Sequence, residues 1–337
     1  MKPAKRMFMA VCVLGVLALW GGPAYAADAK ATGTDKDSFT FFVIGDPQVN
    51  IPRWGTEGTE KTIDIMNGLP GESFPFGGKV DRPRGVLILG DLVDDLHNRR
   101  NWARYEKLFA VDGKARLKFP VYECVGNHDL DLKNSRDKMS VIEKALVARN
   151  AKRRTRIATC PLGYHYSWDW GSVHFVSMSP FPGNQPRAVY GRAAPWNNPR
   201  RSLDFLSKDL ALRVGKSGRP VVLMWHYGLV GWGREKWWSP EDLTAMKKAI
   251  APYNVVLILH GHEHAYRKYQ WEGYDVLMAP SPQFDRNPRK PETISRPKGF
   301  LVIRVQQDQL QAAYRTTDGW KAQWSKKIKT GNKLQSK

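Results

Sequence analysis

Long apolar runs are scarce in this chain: past residue 26 none reaches the roughly 20 residues that a membrane-crossing helix needs. Cysteine is scarcer still, with 3 in 337 residues, which excludes a disulfide-dense scaffold. Acidic residues are few beside basic ones: 32 Asp plus Glu face 53 Lys plus Arg, a formal charge of +21. That imbalance favours phosphate, nucleic acid, anionic lipid or acidic polysaccharide as a partner and says nothing about fold. No internal repeat is visible. What is present is an ordinary globular mixture, 42% hydrophobic and 25% charged, so disorder, collagen and coiled coil are excluded as descriptions of the whole. The length suffices for one large domain or two small ones.

The first residues have the three-part pattern of a secretory signal. Lys2, Lys5 and Arg6 make a basic start, residues 7–20 are apolar, and Gly21, Gly22 and Pro23 break that run. Ala24-Tyr25-Ala26 then places small residues where a signal peptidase reads. Residues 1–26 are therefore expected to be removed, leaving an exported protein, periplasmic or secreted, with no transmembrane segment in the mature chain. Cleavage also lowers the formal charge by three. Cys124 and Cys160 remain, and an oxidising compartment leaves a bridge between them and two free thiols equally open.

Beyond a polar lead-in, short apolar runs each end in a polar cluster. Residues 39–45 end at Asp46, 86–90 at Asp91, 121–126 at Asn127-His128-Asp129, 220–225 at His226 and 255–259 at His260. Such runs read as buried strands. Helical patterns lie between them at 99–110, 138–150, 202–213 and 240–250, the last capped by Ser239 before Pro240. A hairpin is expected at 164–170 and 173–178, and further strands at 275–279, 299–305 and 310–316. Residues 50–84, rich in Gly and Pro, read as an insertion near the site mouth with a helix near 59–68. Residues 39–316 form one domain on this reading, and 317–337 a basic C-terminal tail, more simply frayed than functional. Strands alternating with helices indicate an α/β domain, and ligands in such sheets gather at the carboxyl ends of the strands. Every polar cluster falls there.

The groups that end those strands are carboxylate, amide and imidazole: Asp46 and Gln48, Asp91 and Asp94, Asn127 and His128, His226, His262 and His264. These donors suit divalent Mn, Fe or Zn, and their number fits two ions sharing a bridging carboxylate.

In order and spacing, Asp46-Pro47-Gln48, Gly90-Asp91, Gly126-Asn127-His128-Asp129, His226 and Gly261-His262-Glu263-His264 resemble the signature blocks of the calcineurin-like metallophosphoesterases. The resemblance runs from about residue 39 to 315. It implies a four-layer αββα sandwich, two mixed β-sheets flanked by helices, and a metal-dependent phosphoric ester hydrolase. It also implies one metal held by Asp46, Asp91, His264 and Gln48, and a second by Asn127, His226 and His262, with Asp91 bridging. His128 would be the general acid for the leaving oxygen, oriented by the carboxylate of Asp94. Two cations roughly 3.5–4 Å apart can acidify a bridging water and clamp phosphate oxygens. Gln48 stands where the family usually has His, and its amide oxygen is a weaker and harder donor, so that site is expected to be looser or tuned to Mn or Fe over Zn.

The remaining candidates have plainer readings beside the functional ones. Trp232, Trp237 and Trp238, with Arg234 and Lys236 between, read either as a substrate wall or as aromatic packing over the core. Arg53, Arg82 and Arg84 read as phosphate contacts or as solvated loops. His165 and His174 read as structural, His260 as packing or as support behind a ligand, His97 as site-lining or solvated, and Asp95 and Asp129 as orienting a metal-binding group or facing solvent. The substrate is a phosphomonoester or phosphodiester; the Trp-rich segment leans toward a small or lipid-linked one. Two alternatives stand beside this reading. One is a diesterase acting on nucleotides or nucleic acid, which the charge favours; the other is a non-catalytic protein that binds an anionic envelope component. Peripheral association with the envelope is compatible with all three.

Overall fold

Along β1 (Ser38–Ile44) consecutive side chains enter two different cores: Phe39, Phe41 and Val43 face one, Phe42 and Ile44 the other. A strand buried on both faces has no polar side to show, which is why it reads as an unbroken apolar run. The same division holds in β2 (Val86–Leu89), where Leu87 and Leu89 oppose Val86 and Ile88. The computed structural model describes residues 38–50, 55–130, 138–153, 155–188, 195–230, 237–283 and 297–329; the proposed signal segment lies outside them.

Between these strands come α1 (Glu57–Gly68) and α2 (Arg99–Leu108), then β3 (Val121–Cys124) and α3 (Val141–Ala151). Next are the short β4 (Ala158–Thr159), the hairpin β5 (Tyr166–Trp170) and β6 (Val173–Ser177), and a small pair, β7 (Arg187–Ala188) and β8 (Pro195–Asn197). The chain continues through α4 (Ser202–Asp209), β9 (Val221–Met224), α5 (Pro240–Ile250), β10 (Val255–His260), β11 (Arg267–Trp271) and β12 (Tyr274–Met278). It closes with β13 (Gly299–Gln306), β14 (Gln309–Thr316) and β15 (Gly319–Lys327).

Two mixed sheets result, ordered β15-β14-β13-β1-β2-β3 and β11-β12-β10-β9-β6-β5-β4. Each has a parallel block, β1-β2-β3 along one edge of the first and β12-β10-β9-β6 at the centre of the second, and the remaining strands pair antiparallel. Their inner faces meet in a core of Phe41, Leu89, Tyr122, Trp168, Phe175 and Leu259 among others. Ile63, Met66, Leu108 and Leu146 cover the outer face of the first sheet; Leu206, Met246 and Ile250 cover that of the second. The layers are thus helix, sheet, sheet, helix, and the parallel strands of both sheets end toward one rim.

Some boundaries differ from the sequence reading. The pattern at 202–213 is α4 followed by a π-helical turn, Leu210–Val214, and α3 starts at Val141 because Ser140 and Glu143 form a reciprocal capping box. More consequentially, the segment assigned to a frayed tail contains β15, which pairs antiparallel with β14 along its length. Its side chains alternate, with Trp320, Ala322 and Trp324 half-buried and Lys321, Gln323 and Lys327 exposed. The domain therefore extends past Thr316. Lysines on an outer strand suit an exposed sheet edge, where they discourage pairing with another chain. Cys124 and Cys160 are both buried free thiols. The Cys160 sulfur accepts the backbone N–H groups of Tyr164 and His165, each at 3.3 Å.

Candidate metal centre

The backbone at the strand ends is held in conformations that L-residues seldom adopt. Asp46 (φ 52°), Gln48 (33°), Asp91 (52°), His262 (79°) and His264 (57°) all sit at positive φ. Such residues cost on the order of 1–3 kcal/mol each and cluster where a site needs them. Two glycines let the loops approach. A Cβ on Gly126 would collide with the Asp91 carboxylate and lie 2.5 Å from the Asp91 nitrogen; one on Gly90 would lie 2.5 Å from His226 Nδ1. Asp129 then ties two of these turns together. Its buried carboxylate accepts the backbone N–H groups of Leu92 (3.0 Å), Val93 (3.2 Å) and Gly126 (2.8 Å).

Two clusters of ligand atoms form on this frame, Asp46–Asp91–His264 and Asp91–His226–His262, and Asp91 belongs to both. Within each, the ligand atoms lie within 4.8 Å of one another. His226 Nε2 is 3.3 Å from Asp91 Oδ1, 3.1 Å from Asn127 Oδ1 and 3.2 Å from His262 Nδ1. His226 Nδ1 donates to the Leu89 carbonyl at 2.7 Å, so the Nε2 lone pair points into the cluster. In the other group His264 Nε2 is 3.5 Å from Asp46 Oδ1. The His262 amide donates to both Asp46 carboxylate oxygens, at 3.0 and 2.9 Å, and the Ser281 hydroxyl to the Asp46 carbonyl at 2.8 Å.

The electrostatics ask for cations. Burial, and next to it the Asp91 charge, pushes the Asp46 carboxyl well above the carboxylate range. Burial also resists charging Asp91, but His226 and His128 hold its carboxyl far below that range. Burial disfavours a charged His226 in turn, yet Asp91 outweighs it and raises that imidazole to about 9. Two buried carboxylates this close need positive charge, and protons supply it where no metal does. Gln48 is also buried, and its Oε1 has no hydrogen-bond partner. A buried amide oxygen left without a donor is costly, and a hard cation satisfies it. The residues fit divalent metal ions.

His128 sits at the edge of the cluster. Its amide donates to Asp91 Oδ1 at 2.9 Å, and its side chain is partly exposed. Its Nδ1 lies 2.8 Å from the Asp94 carbonyl oxygen and 3.7 Å from the Asp94 carboxylate. Asp94 thus faces His128 with both groups, its backbone carbonyl closer than its carboxylate. Burial works against the imidazolium, but Asp91 and then the Asp94 carbonyl raise the His128 pKa.

Of the aromatic segment, Trp237 and Trp238 follow the packing reading. Trp237 and Trp238 are 3% and 2% exposed. Trp238 packs on Phe181 and Trp225 and donates from Nε1 to the Gly228 carbonyl at 2.8 Å; Trp237 stacks on Tyr227. Faces used in packing are not offered to a substrate, so these two rings give no support to a lipid-linked one. Trp232, Arg234, Lys236 and Arg53 lie outside the described residues. Arg82 and Arg84 cover the rings of Phe119 and Phe39, while His97 and Asp95 are exposed. His174 is held between Asp169 and Asp209, His165 bonds the Arg200 carbonyl, and His260 bonds the Tyr269 hydroxyl at 2.7 Å. Ser281 was not anticipated, although it follows β12 as the other site residues follow their strands.

Residues 39–266 match the sequence profile of the family described as calcineurin-like phosphoesterase. No curated protein matches the chain. Among solved structures, a dimetal phosphatase from Danio rerio is similar at 16% identity and TM-score 0.52, over 86% of this chain and 99% of that one. The anchor GAP50 of the inner membrane complex of Plasmodium is similar at 12% identity and TM-score 0.53, over 88% and 90%. At such identities these likenesses speak for the fold.

Proposed function

The chain belongs to the calcineurin-like phosphoesterase family and is a metal-dependent phosphoester hydrolase; on that premise we propose that it is exported and cleaves a phosphomonoester or phosphodiester with His128 as general acid. The observation that carries this reading is the sharing of Asp91 between two ligand groups, with His128 bonded to the same carboxylate. Asp46, Gln48, Asp91 and His264 would hold one divalent ion, and Asp91, Asn127, His226 and His262 the other. Bound there, such ions supply Lewis acidity and positive charge for phosphate oxygens.

The protein's own part is proton delivery and orientation. Hydrolysis breaks a P–O bond, and the departing oxygen needs a proton. With Nδ1–H donated to the Asp94 carbonyl, the Nε2–H of the His128 imidazolium is the proton left to give, and the ring becomes neutral and stays fixed. The Asp91 charge and the Asp94 carbonyl both favour the protonated ring. A partly exposed ring beside a buried cluster can reach a substrate that enters from solvent.

The test is a panel of p-nitrophenyl phosphate and bis-p-nitrophenyl phosphate run with Mn, Fe, Zn and Mg separately. Metal-dependent turnover of at least one, abolished by chelation, is expected. No hydrolysis of any phosphoester by metal-loaded protein overturns the reading. Export is checked by fractionation and by the mature N-terminus, expected at Ala27.

A further inference from the structure

We propose that the stacked rings of Tyr227 and Trp237 are positioning residues that fix the imidazole plane of His262 and so set the metal affinity of the Asp91–His226–His262 group. The inference rests on the reading of that group as a metal site.

The two histidines of this group are oriented by different means. His226 is fixed by a hydrogen bond, Nδ1 to the Leu89 carbonyl. His262 stands against rings. Its plane is at 88° to Tyr227 with centroids 5.0 Å apart, and at 83° to Trp237 with centroids 4.8 Å apart. Tyr227 and Trp237 are themselves parallel, 9° between planes and 4.4 Å between centroids. A ring perpendicular to a stacked pair is in the favoured edge-to-face arrangement with both, and rotation about its side-chain torsions meets one or the other. His262 Nδ1 is thereby kept at 3.2 Å from His226 Nε2, where both lone pairs can serve one ion.

The Tyr227 ring also lies 5.2 Å from that of His226, and the stack has further anchors outside the ligand group. Trp237 enters through Trp238, whose indole is fixed to the Gly228 carbonyl, and the chain then turns into α5 with Ser239 as its cap. Tyr227 is held from the other side, its carbonyl accepting the Trp225 indole N–H at 2.7 Å. Two tryptophans that touch no ligand atom therefore brace the two rings that touch His262.

The experiment is a calorimetric titration of the metal-stripped full-length protein with Mn²⁺, for the wild type, Trp237→Leu, Tyr227→Leu, Trp237→Phe and His262→Ala. The wild type is expected to show two binding events, and His262→Ala to lose or gravely weaken one. Trp237→Leu and Tyr227→Leu should weaken that same event by about 10–100-fold, the usual effect of removing a ligand's support, with the other event unchanged. Trp237→Phe should recover most of the loss. At saturating Mn²⁺ the KM for p-nitrophenyl phosphate should stay near the wild-type value. Should Trp237→Leu fail to fold, Tyr227→Leu and Trp237→Phe still decide. Unchanged metal binding in the folded variants, or a raised KM with normal metal binding, overturns the inference alone. If the wild type binds no pair of ions, or His262→Ala keeps both events, the metal reading itself falls and the inference with it.

Discussion

His128 is oriented by the carbonyl of Asp94, at 2.8 Å from Nδ1, while the carboxylate of the same residue stands off at 3.7 Å. A backbone acceptor survives side-chain substitution. Asp94→Asn should therefore keep most of the activity, losing less than about tenfold, because the carboxylate's contribution is a longer-range field. His128→Ala should lose roughly 10² or more in kcat while retaining its metal, since the residue donates a proton and is no ligand. Steady-state kinetics with metal analysis checks both; metal loss in His128→Ala, or a collapse in Asp94→Asn, refutes the assignment.

Gly126 packs its Cα against the Asp91 carboxylate, with no room for a methyl group. Gly126→Ala should shift that loop, lower stability by about 1–3 kcal/mol as overpacking does, and reduce metal content at both groups because Asp91 serves both. Denaturant unfolding and metal content after gel filtration provide the readings.

Gln48 Oε1 is buried without a partner, so Gln48→Leu should leave the metal-free protein as stable as wild type or about 1 kcal/mol more so. The same variant should hold metal more weakly. Gln48→His should retain zinc through dialysis that strips the wild type. Tightly held, stoichiometric zinc at both wild-type sites would contradict this.

At the opposite end of the second sheet, His174 donates to Asp169 and Asp209, each at 2.7 Å. Burial opposes its charge, but these bonds raise its pKa above the ordinary value. A group that binds its proton more tightly when folded stabilises the fold fully below about pH 6.5, and that stability fades as pH rises through the raised pKa. His174→Ala should cost about 3–5 kcal/mol at pH 6 and distinctly less at pH 9. Urea unfolding of both proteins in matched buffers tests it; a constant difference across that range excludes the charged pair.

How much of this was legible follows from where polar groups sit. Strands buried on both faces are legible as apolar runs, and Asp46, Asp91, Asn127, His226 and His262 lie just past their ends. Edge strands β11 and β15 were not seen, because one side faces solvent and their lysines and arginine hid the alternation. Asp94 is legible as the neighbour of His128, but the closer approach of its carbonyl is not, since every residue has one. Trp237 and Trp238 were legible as a cluster but not as buried, since an indole beside a loop packs inward or faces out with the same spelling. Deleting residues 319–337 should accordingly cost more than about 3 kcal/mol, with buried Ile328 alone worth about 1.5–3, as thermal or urea unfolding will show.

The left-handed backbone at Asp46, Gln48, Asp91, His262 and His264 has an evolutionary corollary. Glycine would relax each of these turns and remove the donor that the turn exists to present. A library screened for heat tolerance alone should accumulate glycine at those five positions, while one screened for phosphoester turnover should reject it there. Divergence between the two selections would map the centre with no structure in hand.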